Sequence, residues 1–215
     1  MAKPHIVIHA AVSLDGLIDG FEPDLGAYYG LIETWSEDIT LCGSETILAA
    51  APPPDAPDAE AIPAPEPGDE RPLLAVVDSR GRVRSWGGLI GAGHWRAGLA
   101  VCSAATPSDH LEYLERMDVE PLEAGAERVD LALAVERLAE RGARTIRVDA
   151  GPTLNGLALR AGLVDEVSLL VHPAIAGAGR SFADRLDEAV KLTLTAGEER
   201  PGGLLWARYE VVSRG

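Results

Sequence analysis

Short apolar runs alternate with amphipathic stretches along this chain, and the alternation predicts its elements. Residues 5–12 (HIVIHAAV) are apolar and β-branched, which predicts a buried strand running into the turn Ser13-Leu14-Asp15-Gly16. Residues 27–35 carry mild helical periodicity. Residues 38–42 form a second short strand, and Gly43-Ser44-Glu45-Thr46 opens a helix through Ala50 with Ser44 as its N-cap. Residues 73–78 (LLAVVD) and 99–102 read as strands, 108–116 as a short helix, and 86–93 (WGGLIGAG) as glycine-rich irregular chain. Residues 129–141 place Leu131, Val135, Leu138 and Ala139 on one face and Glu136, Arg137, Glu140 and Arg141 on the other, with Gly142 as the stop.

Then come a strand at 145–148, a helix at 154–160 ended by Gly162, and a strand at 166–171. Strand–helix–strand alternation implies a largely parallel sheet covered on both faces. After Ser181 the pattern switches. Residues 189–195 and 204–212 read as strands around Gly202-Gly203, an antiparallel hairpin closing the sheet edge. The expected class is therefore α/β, with a mostly parallel core flanked by helices and an antiparallel C-terminal hairpin.

Residues 51–72 break this rhythm. They hold eight of the 15 prolines, mixed with Asp, Glu and Ala, which predicts an extended, mobile loop. The roughly 50 residues before it are too few for an independent core. We expect a loop inside one domain spanning 1–215, rather than a linker.

Composition narrows the function. Hydrophobic residues at 47% and charged residues at 25% suit a globular core, and no run approaches the roughly 18 to 20 apolar residues of a membrane span. The opening Met1-Ala2-Lys3-Pro4 has no signal-peptide character, so a cytoplasmic protein is expected. Cys42 and Cys102 lack CxxC or Cys/His spacing and read as buried reduced thiols. The net charge of −15 argues against nucleic-acid or anionic-membrane partners. It also requires that any anionic nucleotide be met by locally gathered arginines. The five histidines have no metal-ligand spacing, so no metal is expected. His9 reads as a core histidine, and His172, beside Pro173 at a strand end, as a candidate ligand contact.

Open α/β sheets bind ligands at the carboxyl ends of their strands. Three such ends stand out: Ser13-Leu14-Asp15-Gly16, then Gly43-Ser44-Glu45-Thr46 at a helix N-terminus suited to phosphate, then Asp149-Ala150-Gly151-Pro152-Thr153-Leu154. The basic turn Ser79-Arg80-Gly81-Arg82 and the segment Gly177-Ala178-Gly179 complete the set. No GxGxxG follows the first strand, and neither GxxxxGK[ST] nor GxSxG occurs, so phosphate-binding devices are spread over separate turns.

Together, SLDG, GSxT, VVDSRGR and GPTLNGLALRAGLVDEVSLLVHPAIAGAG resemble the reductase domain of riboflavin biosynthesis, within the dihydrofolate-reductase-like superfamily. The resemblance covers nearly the whole chain. It implies a mixed sheet, NADPH as hydride donor and a homodimer. The implied reaction turns a 5-amino-6-(5-phosphoribosylamino)pyrimidine or uracil into its ribitylamino form. By position it assigns Gly43, Ser44, Thr46, Gly151, Pro152, Thr153, Leu154, Gly177 and Gly179 to the cofactor, and Ser79, Arg80 and Arg82 to its 2′-phosphate. Ser13 and Asp15 would face the substrate, and Asp15 and Asp149 are the candidate proton donors, each needing a raised pKa for that role. Two departures are visible. Asp149-Ala150-Gly151 stands where Glu-Gly-Gly is common, and the acidic 51–72 segment, whose only basic residue is Arg71, replaces an Asp-Pro-x-Leu-Thr-x-Arg substrate loop. They keep two other readings open: a reductase of another small heterocycle, such as a pterin or folate, and a nucleotide-binding protein without catalysis.

Overall fold

The computed structural model describes residues 3–50, 53–56 and 59–212. In chain order its elements begin β1 (His5–Ser13), α1 (Leu25–Tyr29), β2 (Ile39–Gly43), α2 (Ser44–Ala49), β3 (Leu73–Val77), α3 (Trp86–Gly91), β4 (Ala97–Cys102) and α4 (Ser108–Arg116). They continue β5 (Glu120–Glu123), α5 (Leu131–Glu140), β6 (Thr145–Val148), α6 (Pro152–Arg160), β7 (Glu166–His172), β8 (Leu192–Arg200) and β9 (Leu204–Val211). The nine strands form a mixed, mostly parallel sheet flanked by helices, with an antiparallel C-terminal hairpin, as the sequence pattern implies. The chain divides into two compact units, residues 38–144 with the N-terminal residues through Pro4, and residues 5–37 with 145 onward.

In the first unit the strand order is β5-β4-β3-β2, all parallel. Its core gathers Leu74, Val76, Trp86, Ala100, Leu114 and Met117. Residues 86–91 are a helix, not the irregular chain expected. Trp86 and Ile90, four apart, share one buried face, and the Trp86 ring lies on the bare backbone of Gly98, where a Cβ would come within 2.7 Å of it. Burying such large side chains contributes roughly 1.5–3 kcal/mol each, which outweighs the helix cost of about 1 kcal/mol per glycine. β5 was not foreseen: it is a four-residue edge strand in which only Leu122 is buried. The described part of 51–72 has neither helix nor strand, but it is pinned rather than loose. Ile62 is buried and its N–H donates to the Met117 carbonyl at 3.0 Å, while Asp55 accepts the Tyr113 hydroxyl at 2.6 Å and the Gly87 N–H at 3.0 Å.

In the second unit the order is β6-β1-β7-β9-β8, with β1 between β6 and β7 in parallel register and β9 antiparallel to both its neighbours. β1 is buried nearly throughout, which explains its unbroken apolar run. Tyr28, Leu31, Trp35, Leu170, Leu204 and Trp206 pack beside Val7. α6 starts two residues earlier than the pattern suggested, because Pro152 occupies its first turn, where a missing N–H costs nothing.

Candidate functional site

In the first unit two strand ends are tied together. Gly43 is the N-cap of α2, so Ser44 is the first helical residue and not the cap expected. The Ser44 hydroxyl instead accepts from Arg82 Nη2 at 3.0 Å, and Arg82 also pairs with Glu45 at 2.7 Å. Thr46 follows, half-buried, in a helix of only six residues. The attraction for an anion at this end therefore rests on Arg82 rather than on a long helix dipole.

The other end is the turn 78–82. One oxygen of buried Asp78 accepts the N–H groups of Arg82 at 2.6 Å and Val83 at 2.8 Å. Gly81 has φ +62°, and a Cβ there would come within 2.7 Å of the His110 ring. Ser79 Oγ accepts from Val129 N at 2.9 Å, which leaves its own proton to donate. Arg80 is exposed, and among the described residues it has no hydrogen bond or ion pair. Arg82 Nε, Asp78 Oδ1 and both His110 ring nitrogens are buried without a partner, and burial pushes His110 below the usual imidazole range.

In the second unit the end of β1 closes on itself. Ser13 Oγ donates to Asp15 at 2.7 Å and accepts from Leu17 N at 3.0 Å, with Gly16 at φ +80° in the turn. Asp15 further accepts the N–H groups of Gly177 at 2.9 Å and Ala176 at 3.0 Å. The bond from Ser13, then those from Gly177 and Ala176, bring the Asp15 pKa down to about 2. In this structure Asp15 holds the Ala176 and Gly177 N–H groups as an anion, and a proton donor near neutral pH would need the opposite shift. Ser13 is buried and bonded within its own turn.

Two glycines of the 174–181 segment lie close against the loop after β1. Gly177 (φ +72°) gives its N–H to Asp15, and a Cβ on Gly179 would collide with the Asp19 carboxylate. Asp19 itself accepts from Arg180 N at 2.7 Å and Nε at 2.6 Å. Both glycines thus let two loops seat closely. His172 is buried, its Nε2 accepting from Asp24 N at 2.9 Å while Nδ1 faces the Leu170 and Val12 carbonyls. His172 is thereby held in the wall of the fold by backbone partners.

The end of β6 is different. Gly151 is the N-cap of α6 with no side-chain cap, Pro152 and Leu154 are buried, and the Thr153 hydroxyl donates to Asp184 at 3.3 Å. Asp149 is half-buried and accepts from Arg147 Nη1 at 2.9 Å, while Arg147 Nε reaches Glu37 at 2.7 Å. Burial disfavours the Arg147 charge, but Asp149 and Glu37 more than offset it and its pKa is raised. Asn155 fixes the chain after Asp149 by donating to the carbonyls of Ala150 at 3.1 Å and Phe182 at 2.7 Å. Arg147, Glu37 and Asn155 were not singled out from the sequence. The signal for Arg147 was there, one charge amid the apolar positions of TIRV. Among the described residues no three His, Cys, Asp or Glu side chains are grouped to hold a metal.

A mostly parallel sheet carries hydroxyls, glycine turns and an arginine-bearing loop at its strand ends, where open α/β sheets bind ligands. Residues 4–205 match the model of the RibD C-terminal domain, and the chain belongs to that family. It is 31% identical to the 2,5-diamino-6-ribosylamino-4(3H)-pyrimidinone 5′-phosphate reductase of Methanothermobacter thermautotrophicus, over 92% of this chain and 95% of the relative. The reductase of the same name from Archaeoglobus fulgidus is 28% identical over 81% of this chain and 83% of its own. Among solved structures, a pyrimidine reductase-like protein from Corynebacterium diphtheriae shares the fold with a TM-score of 0.74 at 18% identity, covering 98% and 93% of the two chains. The riboflavin biosynthesis reductase of Saccharomyces cerevisiae does so with a TM-score of 0.69 at 17% identity, covering 97% and 90%.

Proposed function

We propose that this oxidoreductase is an NADPH-dependent reductase of riboflavin-biosynthesis type. Its substrate is the 2,5-diamino-6-ribosylamino-4(3H)-pyrimidinone 5′-phosphate named for its archaeal relatives, reduced to the ribitylamino form. The observation that carries the cofactor choice is Arg80, an exposed cation with no partner among the described residues of a chain with net charge −15. Beside it are the Ser79 hydroxyl, with a proton to give, and Arg82 with an unpartnered Nε. This donor set fits a 2′-phosphate.

When bound, NADPH supplies the hydride; the chain's residues position and polarise. Ser79, Arg80 and Arg82 hold the 2′-phosphate, and Gly43, Ser44 and Thr46 line the cofactor in the same unit. In the other unit the first turn of α6 has no side-chain cap, which leaves the Thr153 and Leu154 N–H groups for an anion. Asp149 is the carboxylate that touches the substrate. Asp15 acts through the turn it clamps. NADPH should raise the melting temperature well beyond NADH, with about 2.7 kcal/mol of stabilisation at 100 times its Kd. Equal shifts for the two cofactors would remove the argument from Arg80.

One observation favours a second reading, a reductase of an unphosphorylated heterocycle such as a pterin. Arg71, the only cation of 51–72, is tied to Asp69 at 2.5 Å and is poorly placed to hold a substrate phosphate. Complementation of a riboflavin-requiring reductase mutant separates the two: growth supports the leading reading, and failure with good expression supports the second.

We infer a homodimer as well, because β8 is a nine-residue edge strand exposed along almost its whole length, with Leu192 and Leu194 open to solvent. Sedimentation of wild type against Leu194→Glu tests this, a monomeric wild type refuting it. Cys42 and Cys102, buried and outside any disulfide, suit a cytoplasmic setting, and no helix among the described residues is long and apolar enough to cross a membrane.

A further inference from the structure

Arg147 has a place that stability alone does not explain. Its side chain is 2% exposed, on a strand whose neighbouring residues Ile146 and Val148 are fully buried and apolar. Its guanidinium is split between two carboxylates, Nε to Glu37, 5% exposed, and Nη1 to Asp149, 28% exposed. The network thus has a deep anchor and an outer end at a strand mouth. Replacing a buried ion network by packed apolar side chains is often neutral or stabilising, so the use of such a network lies in what it orients.

The surroundings stiffen that outer end. The Tyr28 hydroxyl donates to the His9 carbonyl at 3.0 Å, and the His9 ring stacks on Tyr28 with centroids 4.4 Å apart. Charge on Asp149 also bears on Tyr28, whose pKa is raised first by burial and then by that carboxylate. On the backbone side, Asn155 holds the Ala150 carbonyl. Asp149 is therefore braced through its side chain by Arg147 and through its main chain by Asn155.

We propose that Arg147 is a positioning residue for the reduction, fixing the Asp149 carboxylate in the orientation in which it meets substrate, with Glu37 setting Arg147 in turn. The proposal rests on the reading of Asp149 given above. A lysine at 147 keeps the charge but offers a single ammonium in place of the planar fork that reaches both carboxylates.

The test compares wild type, Arg147→Lys, Asp149→Asn and the double variant. Arg147→Lys should lower kcat for NADPH oxidation with the diaminopyrimidinone phosphate at least about tenfold, since small misplacements of reacting groups are costly. Its NADPH Kd should stay within about twofold, and in the Asp149→Asn background it should cost nothing more, because two residues acting through one group are not additive. Wild-type kcat in Arg147→Lys, or effects that multiply in the double variant, would overturn the proposal. If Arg147→Lys does not fold, Glu37→Gln takes its place under the same two criteria. A crystal structure of the ligand-free variant gives a readout independent of activity: Asp149 should leave its wild-type rotamer, and an unmoved Asp149 also overturns the proposal. Absence of turnover by wild type would sink the reductase reading instead, while the rotamer still decides the role of Arg147.

Discussion

Arg80 and Arg147 are the same residue type used in opposite ways. Arg80 stands exposed in the turn after β3, with no partner among the described residues, while Arg147 is buried within β6 and divided between two carboxylates. A solvated arginine contributes little to folding, so its charge remains available to a ligand. A buried one is committed to its counter-charges and can act only through them. Within one fold, exposure separates a cation open to a ligand from a cation bound to its counter-charges.

The largest expected effect follows from that contrast. Arg147→Met should destabilise the protein by about 3–5 kcal/mol, because Glu37 and Asp149 lose their cation, whereas Arg80→Ala should fall within about 0.5 kcal/mol. Urea denaturation of both variants checks this, and equal losses would break the comparison. Next in size is His9, which packs in the same unit as Arg147. Burial first of all brings its pKa down from 6.5 to about 4. Because the folded value lies below the unfolded one, its contribution is fully present above pH 6.5 and is lost as pH falls toward 4, by roughly 3 kcal/mol in total. In His9→Gln the stability profile should flatten across that window; an unchanged slope would assign it to other groups.

The effect expected at Arg80 is smaller and confined to binding. Arg80→Ala should weaken NADPH about tenfold, or about 1.4 kcal/mol, and leave NADH unchanged. Titration by protein-fluorescence quenching measures both constants, and parallel losses would mean that Arg80 reads something common to the two cofactors.

What the sequence revealed of these regions follows from the range of the interactions. The buried run of β1, the helix α4 and the strand β9 are local patterns that appear close to where periodicity places them, whereas β8 runs over Leu192–Arg200, five residues past the end expected at 195. α3 was hidden because its glycines carry no signal, while the burial of Trp86 and Ile90 that stabilises it is tertiary. β5 was hidden because a single apolar residue makes no pattern. Arg82 and Ser44 were both named, yet their bond joins residues 38 positions apart. Arg147 was legible as an isolated charge in a strand, but its anchor Glu37 lies 110 residues away, and no spacing rule connects them. Glycines 177 and 179 were read as room for a ligand, and nothing in the chain announces that Asp15 and Asp19 also fold back onto them.

Asp15 sets the finest test, because it is the exposed carboxylate to compare with braced Asp149. Its pKa, lowered to about 2 from 3.8, means that its contribution is present above pH 3.8 and is lost as pH falls through 2. If Asp15 were a proton donor, Asp15→Asn would abolish turnover and leave the neighbouring loop untouched. A clamp predicts otherwise. Asparagine has one acceptor oxygen where the carboxylate has two, so it cannot accept the Ala176 and Gly177 N–H groups on separate oxygens. Those two amides should lose hydrogen-exchange protection, and turnover should fall in step with the loosened loop, while NADPH affinity changes less. Full protection at Ala176 and Gly177 alongside lost turnover would return Asp15 to the chemistry and remove it from the scaffold.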